Sequence, residues 1–206
     1  MDFQLTQSEA RVLGVMLEKE MTTPDNYPLS LNALVTGCNQ KTNREPVVNY
    51  DDSEAIEALD SLRHKGLSLL YTGSGRVAKY GHRLSDKINF RTSELAVICV
   101  LLLRGPQTVG EIKERTQRMY DFDDIEAVDG CLRRLAENSF VKEMAREPGQ
   151  KEPRHAHLFR GEPTSVVREV HAAAPASSAR DERIEKLEAE VAALRLEFAA
   201  FRKQFE

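Results

Sequence analysis

The sequence lacks a basic excess. Its 206 residues carry 29 Lys and Arg against 33 Asp and Glu, a net charge of −4, whereas strongly electrostatic nucleic-acid binders usually carry surplus positive charge. Cysteine is scarce. Cys38, Cys99 and Cys131 lie far apart with no metal-ligand spacing, and Cys38 and Cys99 fall in apolar helical stretches, where small buried hydrophobes are expected. An odd count, with no export or lipidation signal at the N-terminus, fits a reducing cytoplasm. Long apolar runs are missing as well. The longest, Leu95 to Leu103, is about half the length of a membrane-spanning helix and predicts instead a deeply buried helix.

Catalytic signatures are also absent. There is no phosphate-cradling Gly-Lys-Ser/Thr loop, no nucleophile elbow and no His-Glu-x-x-His. His155 and His157 would share one face of a strand, an arrangement that can hold a metal, but no cysteine or carboxylate stands at a supporting local spacing. The acidic clusters Asp51-Asp52 and Asp121 to Asp124 fall at helix N-termini, where the helix dipole stabilises negative charge without any catalytic role. The expectation is a non-enzymatic protein with no cofactor and no metal.

What the chain does have is an internal duplication. Ser8-Glu9-Ala10 opens an apolar helix through Val12, Leu13, Val15, Met16 and Leu17. Ser93-Glu94-Leu95 opens another through Val97, Ile98, Val100, Leu101 and Leu102. Downstream, Ala55, Leu59, Leu62 and Leu67 align with Val128, Leu132, Leu135 and Phe140, and each copy ends in a hairpin-like stretch with glycine in its turn. Three helices followed by a β-hairpin is the order of a winged-helix domain. The predicted fold class is α+β, mainly α: winged-helix domains over 1–86 and 87–161, a flexible linker over 162–180, and a coiled-coil helix over 181–206.

Local signals place the elements. Thr6 and Glu9 form a capping box for a helix ending near Lys19. Leu31, Leu34, Val35 and Cys38 make one helical stripe, and Asp52 or Ser53 caps a third helix whose apolar face carries Ala55, Ile56, Leu59 and Leu62. Gly66 can end that helix in the left-handed conformation. Leu67, Leu69 and Tyr71 then alternate into a first wing strand, with Val77 to Leu84 as its return. In the second copy Thr108 and Glu111 form a capping box, and Asp123 or Asp124 opens a helix burying Val128, Leu132 and Leu135. Phe140 and Val141 start the second wing, and His155 to Phe159 closes it.

The tail carries a heptad stripe of Ile184, Leu187, Val191, Leu194, Phe198, Phe201 and Phe205. A short amphipathic helix is marginal alone and wants a partner. In a parallel pair the flanking charges match as Arg183–Glu188, Glu190–Arg195 and Glu197–Arg202, whereas an antiparallel pair would oppose Glu190 to Glu197. A parallel homodimer is predicted. The alternative is a tail folded back onto the body.

Placing DNA against the third helices is unfavourable, because their N-termini carry Asp51, Asp52, Glu54 and Glu57, or Asp123, Asp124 and Glu126. Positive charge gathers elsewhere. Lys41 and Arg44 occupy a polar loop with Asn39, Gln40 and Asn43; Arg76 and Lys79 lie on the first wing; Arg146, Lys151 and Arg154 lie on the second. These are the candidate contacts, since wings can touch the DNA backbone or minor groove. The polar loop could equally be bonded internally and brace the third helix.

Several stretches carry a resemblance. Thr23-Pro24, Tyr27-Pro28-Leu29-Ser30, Cys38 through Val47, Leu102-Leu103-Arg104-Gly105, Met119 to Phe122 and Ala145 to Gly149 together resemble the YceH-like family of uncharacterised bacterial proteins. The resemblance covers residues 3–160 and implies a tandem winged-helix fold and a bacterial cytoplasmic protein. It implies no activity. The leading functional expectation is a DNA-associated regulatory protein using its wings and the polar loop; the alternative is a protein–protein adaptor using winged-helix surfaces.

Overall fold

The computed structural model describes residues 3–72, 77–146, 149–150 and 152–163. The linker beyond residue 163 and the heptad stripe from Ile184 to Phe205, with the dimer that stripe predicts, lie outside the described residues, as do Arg76 and Lys151. What is described is an α+β protein of seven α-helices and two small antiparallel sheets.

Helix α1 (Gln7–Thr22) begins where the capping box predicts, with Glu9 N–H donating to Thr6 Oγ1 at 3.2 Å and Thr6 N–H donating to the Glu9 carboxylate at 2.6 Å. It continues past Lys19 to Thr22. A short 3-10 turn over Pro24–Asn26 leads into β1 (Leu29–Ser30) and α2 (Leu31–Cys38). The next helix, α3 (Asp52–His64), is capped by Asp51 rather than Asp52 or Ser53, because Asp51 accepts from Glu54 N–H at 2.9 Å. Gly66 follows at φ +70°, the left-handed geometry expected of it. Then come β2 (Ser68–Tyr71), β3 (Lys79–His82) and the one-turn helix α4 (Leu84–Lys87).

The second copy contains α5 (Thr92–Arg104), α6 (Val109–Thr116), α7 (Ile125–Glu137), β4 (Val141–Glu143) and β5 (His155–His157). Thr108 and Asp124 cap α6 and α7 as predicted.

The duplication extends to topology. In the first copy the sheet order is β1-β3-β2. In the second, β5 pairs with β4 on one side, and on the other Gln107 exchanges both backbone hydrogen bonds with His155, at 3.0 and 2.7 Å. Gln107 therefore stands in the second copy where β1 stands in the first. Each copy runs helix, short strand or bridge, two helices, hairpin.

Helices α1 and α5 are the most buried elements and pack against each other. From α1 Val12, Leu13, Val15, Met16 and Leu17, and from α5 Val97, Ile98, Leu101, Leu102 and Leu103, enter one continuous apolar core that includes residues from Leu5 to Phe159. Full burial of each such side chain stabilises by about 1.5–3 kcal/mol. Gly14 makes the close approach feasible: a Cβ there would stand 2.8 Å from Leu103 Cδ2 and 3.2 Å from Leu102 Cβ. All three cysteines are buried, and Cys99 Sγ donates to Gly14 O at 3.4 Å. The two copies thus share one core, and residues Met1–Ser165 form one compact unit.

One detail of the predicted stripes is corrected, and a second, which the alternation leaves open, is decided. Ile56 is 41% exposed and Ala58 takes the buried place expected for it, since 55, 58, 59 and 62 follow the helical period and 56 lies off that stripe. On the first hairpin Ser68 is buried while Leu69 and Tyr71 are exposed. Register explains the second case: Leu69 faces Gly81 and Tyr71 faces Lys79, all on the outer face of the sheet.

Candidate functional site

The polar loop after α2 is held from inside. Arg44 is only 5% exposed, so its assignment as a nucleic-acid contact is corrected. Its guanidinium donates to both oxygens of Glu18, at 2.6 and 3.2 Å, to Gly37 O at 3.0 Å and to Asn43 O at 2.8 Å. Asn39 is likewise internal: its amide nitrogen donates to Tyr50 O and its carbonyl accepts from Tyr50 N–H, both at 2.7 Å. From α1, buried Arg11 donates to Cys38 O at 3.2 Å and Pro46 O at 2.6 Å, gripping both ends of the loop. Asn39, Arg44 and Arg11 therefore brace the approach to α3. Lys41 and Asn43 remain exposed, and Gln40 is half-buried.

The loop also touches the second copy. Glu45 N–H donates to Leu103 O at 2.9 Å, and Arg104 donates to Asn43 Oδ1. Beside that contact opens a cleft of about 420 Å³, bounded by the end of α1, Asn43, the end of α5, and the end of α6 with the residues beyond it. Three guanidinium groups border it: Arg104, Arg115 and Arg118. Burial first, then the charges of Arg115 and Arg44, pull the pKa of Arg104 below the ordinary arginine value. For Glu18 burial pushes the other way, but the hydrogen bonds and charges of Arg44 and Lys19 outweigh it and hold the carboxyl below its usual range. Sequence reading had not singled out Arg104, Arg115, Arg118 or Glu18 as a group. The signal available was the basic residue at 115 recurring three residues later at 118.

On the two hairpins the candidates divide. Lys79 and Arg146 are exposed and have no carboxylate partner among the described residues. Arg154 is committed, donating to Glu111 at 2.7 Å and Pro106 O at 2.9 Å, and is corrected from a free contact to a brace between the second hairpin and α6. The first hairpin exposes three large apolar side chains. Leu69 is 38% exposed, Tyr71 42% and Val77 63%. Gly81 lets the aromatics lie across β3, for a Cβ there would stand 2.9 Å from Tyr71 Cε2 and 3.0 Å from Tyr27 Oη. The Tyr27 hydroxyl also accepts His82 N–H at 2.6 Å. Leu69, Tyr71 and Gly81 make an apolar strip beside Lys79.

The third helices keep their acids. Asp51 and Glu54 satisfy each other's backbone N–H groups, and Asp124 accepts from Ala127 N–H at 2.7 Å. His155 and His157 share a face as expected; burial lowers both pKa values, that of His157 to about 4. No group of three or more metal-ligating side chains forms among the described residues. Burial raises the thiol of Cys38 to about 12, so it stands as a thiol. Among the described residues no helix is long and apolar enough to cross a membrane.

Comparison with known proteins adds lineage. A family model described as "Protein of unknown function, DUF480" matches residues 5–150. The chain is 52% identical over 207 residues to a UPF0502 protein of Solibacter usitatus, spanning 100% of both chains. It is 47% identical to a UPF0502 protein of Pelobacter propionicus, covering 98% of this chain and 95% of the relative. A UPF0502 protein of Shewanella pealeana is 44% identical, with 98% and 97% covered.

Proposed function

We propose, from the premise that this chain belongs to the DUF480 family of bacterial proteins of unknown function, as its YceH-like resemblance implies, that it is a non-enzymatic adaptor. Its two winged-helix modules are joined through their first helices, and it binds another protein through the outer face of the first wing. The single observation that carries this reading is the exposure of Leu69, Tyr71 and Val77 on one hairpin. Large apolar side chains that face water together mark interaction sites more often than chance, and tyrosine is enriched in protein interfaces. Module identity rests on element order: helix, short strand, two helices, hairpin, twice over. That order is the winged-helix plan, and fold alone does not choose between DNA and protein as cargo.

Charge favours a protein. The N-termini of α3 and α7 are acidic, and two of the basic candidates, Arg44 and Arg154, are bound internally. Substituting Leu69 and Tyr71 together by Glu should abolish co-purification of a defined protein from cells of the source bacterium. Retention of the same partner by that variant would overturn the reading.

A second reading is favoured by one observation: Lys41, Lys79 and Arg146 are exposed cations without acid partners among the described residues. On that reading the wings contact DNA backbone. Binding would then weaken steeply with salt, and Lys79→Glu with Arg146→Glu would remove it in a mobility-shift titration.

A further inference from the structure

We propose that the cleft between the polar loop and the end of α6 binds a small phosphorylated molecule, with Arg104, Arg115 and Arg118 holding the phosphate. This does not rest on the wing as a partner surface, and the two can fail separately.

The charge census of the cleft carries the inference. Arg118 is exposed and has no acid partner among the described residues. Arg104 spends one of its donors on a neutral amide, Asn43 Oδ1. Arg115 has Glu111 at 3.6 Å, but Glu111 is already engaged by Thr108 N–H at 2.9 Å and by Arg154 at 2.7 Å. On the acidic side, Glu18 is taken by Arg44 at 2.6 Å and Lys19 at 3.4 Å. Glu114, exposed at the rim, is the one uncommitted carboxylate bordering the cleft among the described residues. Three arginines thus line one cleft, with Glu18 and Glu45 offsetting part of the charge at Arg104, and like charges so placed are relieved by an anion.

Phosphate fits better than carboxylate. One guanidinium fork satisfies a single carboxylate, whereas a dianionic phosphate offers three oxygens and two charges for the three arginines to share. The remaining wall is mixed: Val100, Leu103 and Met119 give the carbon body of a phosphomonoester a surface to cover, and Thr22, Asn43 and Gln117 offer polar groups to its hydroxyls. A volume of about 420 Å³ falls within the range of small-molecule sites. Asn43 sits at φ 61°, a left-handed conformation that asparagine tolerates. Its loop belongs to the first copy and the arginines to the second, so a ligand here would fasten the copies to each other.

The test uses the full chain with ribose 5-phosphate, inorganic phosphate and unphosphorylated ribose at matched ionic strength, read by calorimetry and by hydrogen exchange of residues 39–46. Saturable binding of ribose 5-phosphate is expected, with slower exchange in that loop. Inorganic phosphate should bind more weakly, because it leaves the remaining wall uncovered, and ribose not at all. Arg118→Glu and Arg115→Gln should each weaken binding about tenfold or more, while Arg133→Ala on α7 should not. Absence of saturable binding at ~10 mM, or undiminished binding by both cleft variants with native circular dichroism, would overturn the proposal. Equal affinity for inorganic phosphate and ribose 5-phosphate would overturn the assignment to a phosphorylated molecule in favour of free phosphate, and equal binding of ribose would overturn the role of the arginines.

Discussion

Glu18 on α1 and Arg44 in the polar loop, 26 residues apart in sequence, meet in a two-point ion pair with nitrogen–oxygen distances of 2.6 and 3.2 Å. The Arg44 side chain is fully buried. Removing one partner of such a pair strands the other, at a cost of about 3–5 kcal/mol. Arg44→Ala is therefore expected to lower the urea midpoint sharply. Arg44→Lys should recover only part of the loss, because an ammonium cannot reproduce the fork to Glu18 and the bond to Gly37 O together. The exposed pair of Arg133 with Asp129 is the comparison: Arg133→Ala should cost only about 0–1 kcal/mol.

Gly14→Ala tests the shared core. Alanine would gain up to about 1 kcal/mol in helix propensity. Against that, its methyl would stand 2.9 Å from Leu103 Cγ, and forced overpacking costs about 1–3 kcal/mol. Net destabilisation is expected, and Gly14→Ala with Leu103→Ala should recover part of it in a double-mutant cycle. Additive losses would mean that the two helices do not pack here.

The α+β class and most element positions were legible in the sequence because they rest on local chemistry. Thr6, Thr108 and Asp124 announce their helices through side chain-to-backbone bonds within three residues. Burial was legible for α5, whose run from Ala96 to Leu103 is apolar all round. The candidate site was read less well, since its character depends on partners far away in sequence. Nothing near Arg44 reveals that Glu18 will neutralise it, and nothing near Arg154 points to Glu111. The alternation of Leu67, Leu69 and Tyr71 marks a strand but not which face is inward; the pairing of Leu69 with Gly81 decides that.

Acid sensitivity should come from the second hairpin before the carboxylates. Burial, reinforced by Arg160, pushes His157 from 6.5 down to about 4, and burial lowers His155 despite Glu143. The folded chain keeps these imidazoles neutral while the unfolded chain takes up protons below 6.5. Their contribution to stability is complete above that pH and is lost as pH falls toward 4. In urea melts, His155→Gln with His157→Gln should flatten the stability profile between those limits. An unchanged slope would place the titration elsewhere.

Thiol chemistry should report unfolding rather than a reactive site. All three cysteines are buried and burial raises each thiol pKa, that of Cys38 to about 12. Since the thiolate is the reactive form, labelling by an aromatic disulfide reagent at pH 8 should be slow in the native protein. It should reach three thiols per chain only in denaturant. Rapid native labelling of one thiol would contradict the buried assignment.

The central proposal is that the outer face of the first hairpin meets a protein. Its most direct measurement is site-specific photo-crosslinking from position 69 in cells of the source bacterium, with position 133 on α7 as reference and the products treated separately with protease and nuclease. The account predicts one discrete adduct from position 69, destroyed by protease and untouched by nuclease, and none from position 133. A nuclease-sensitive adduct from position 69, or none at all, would contradict it.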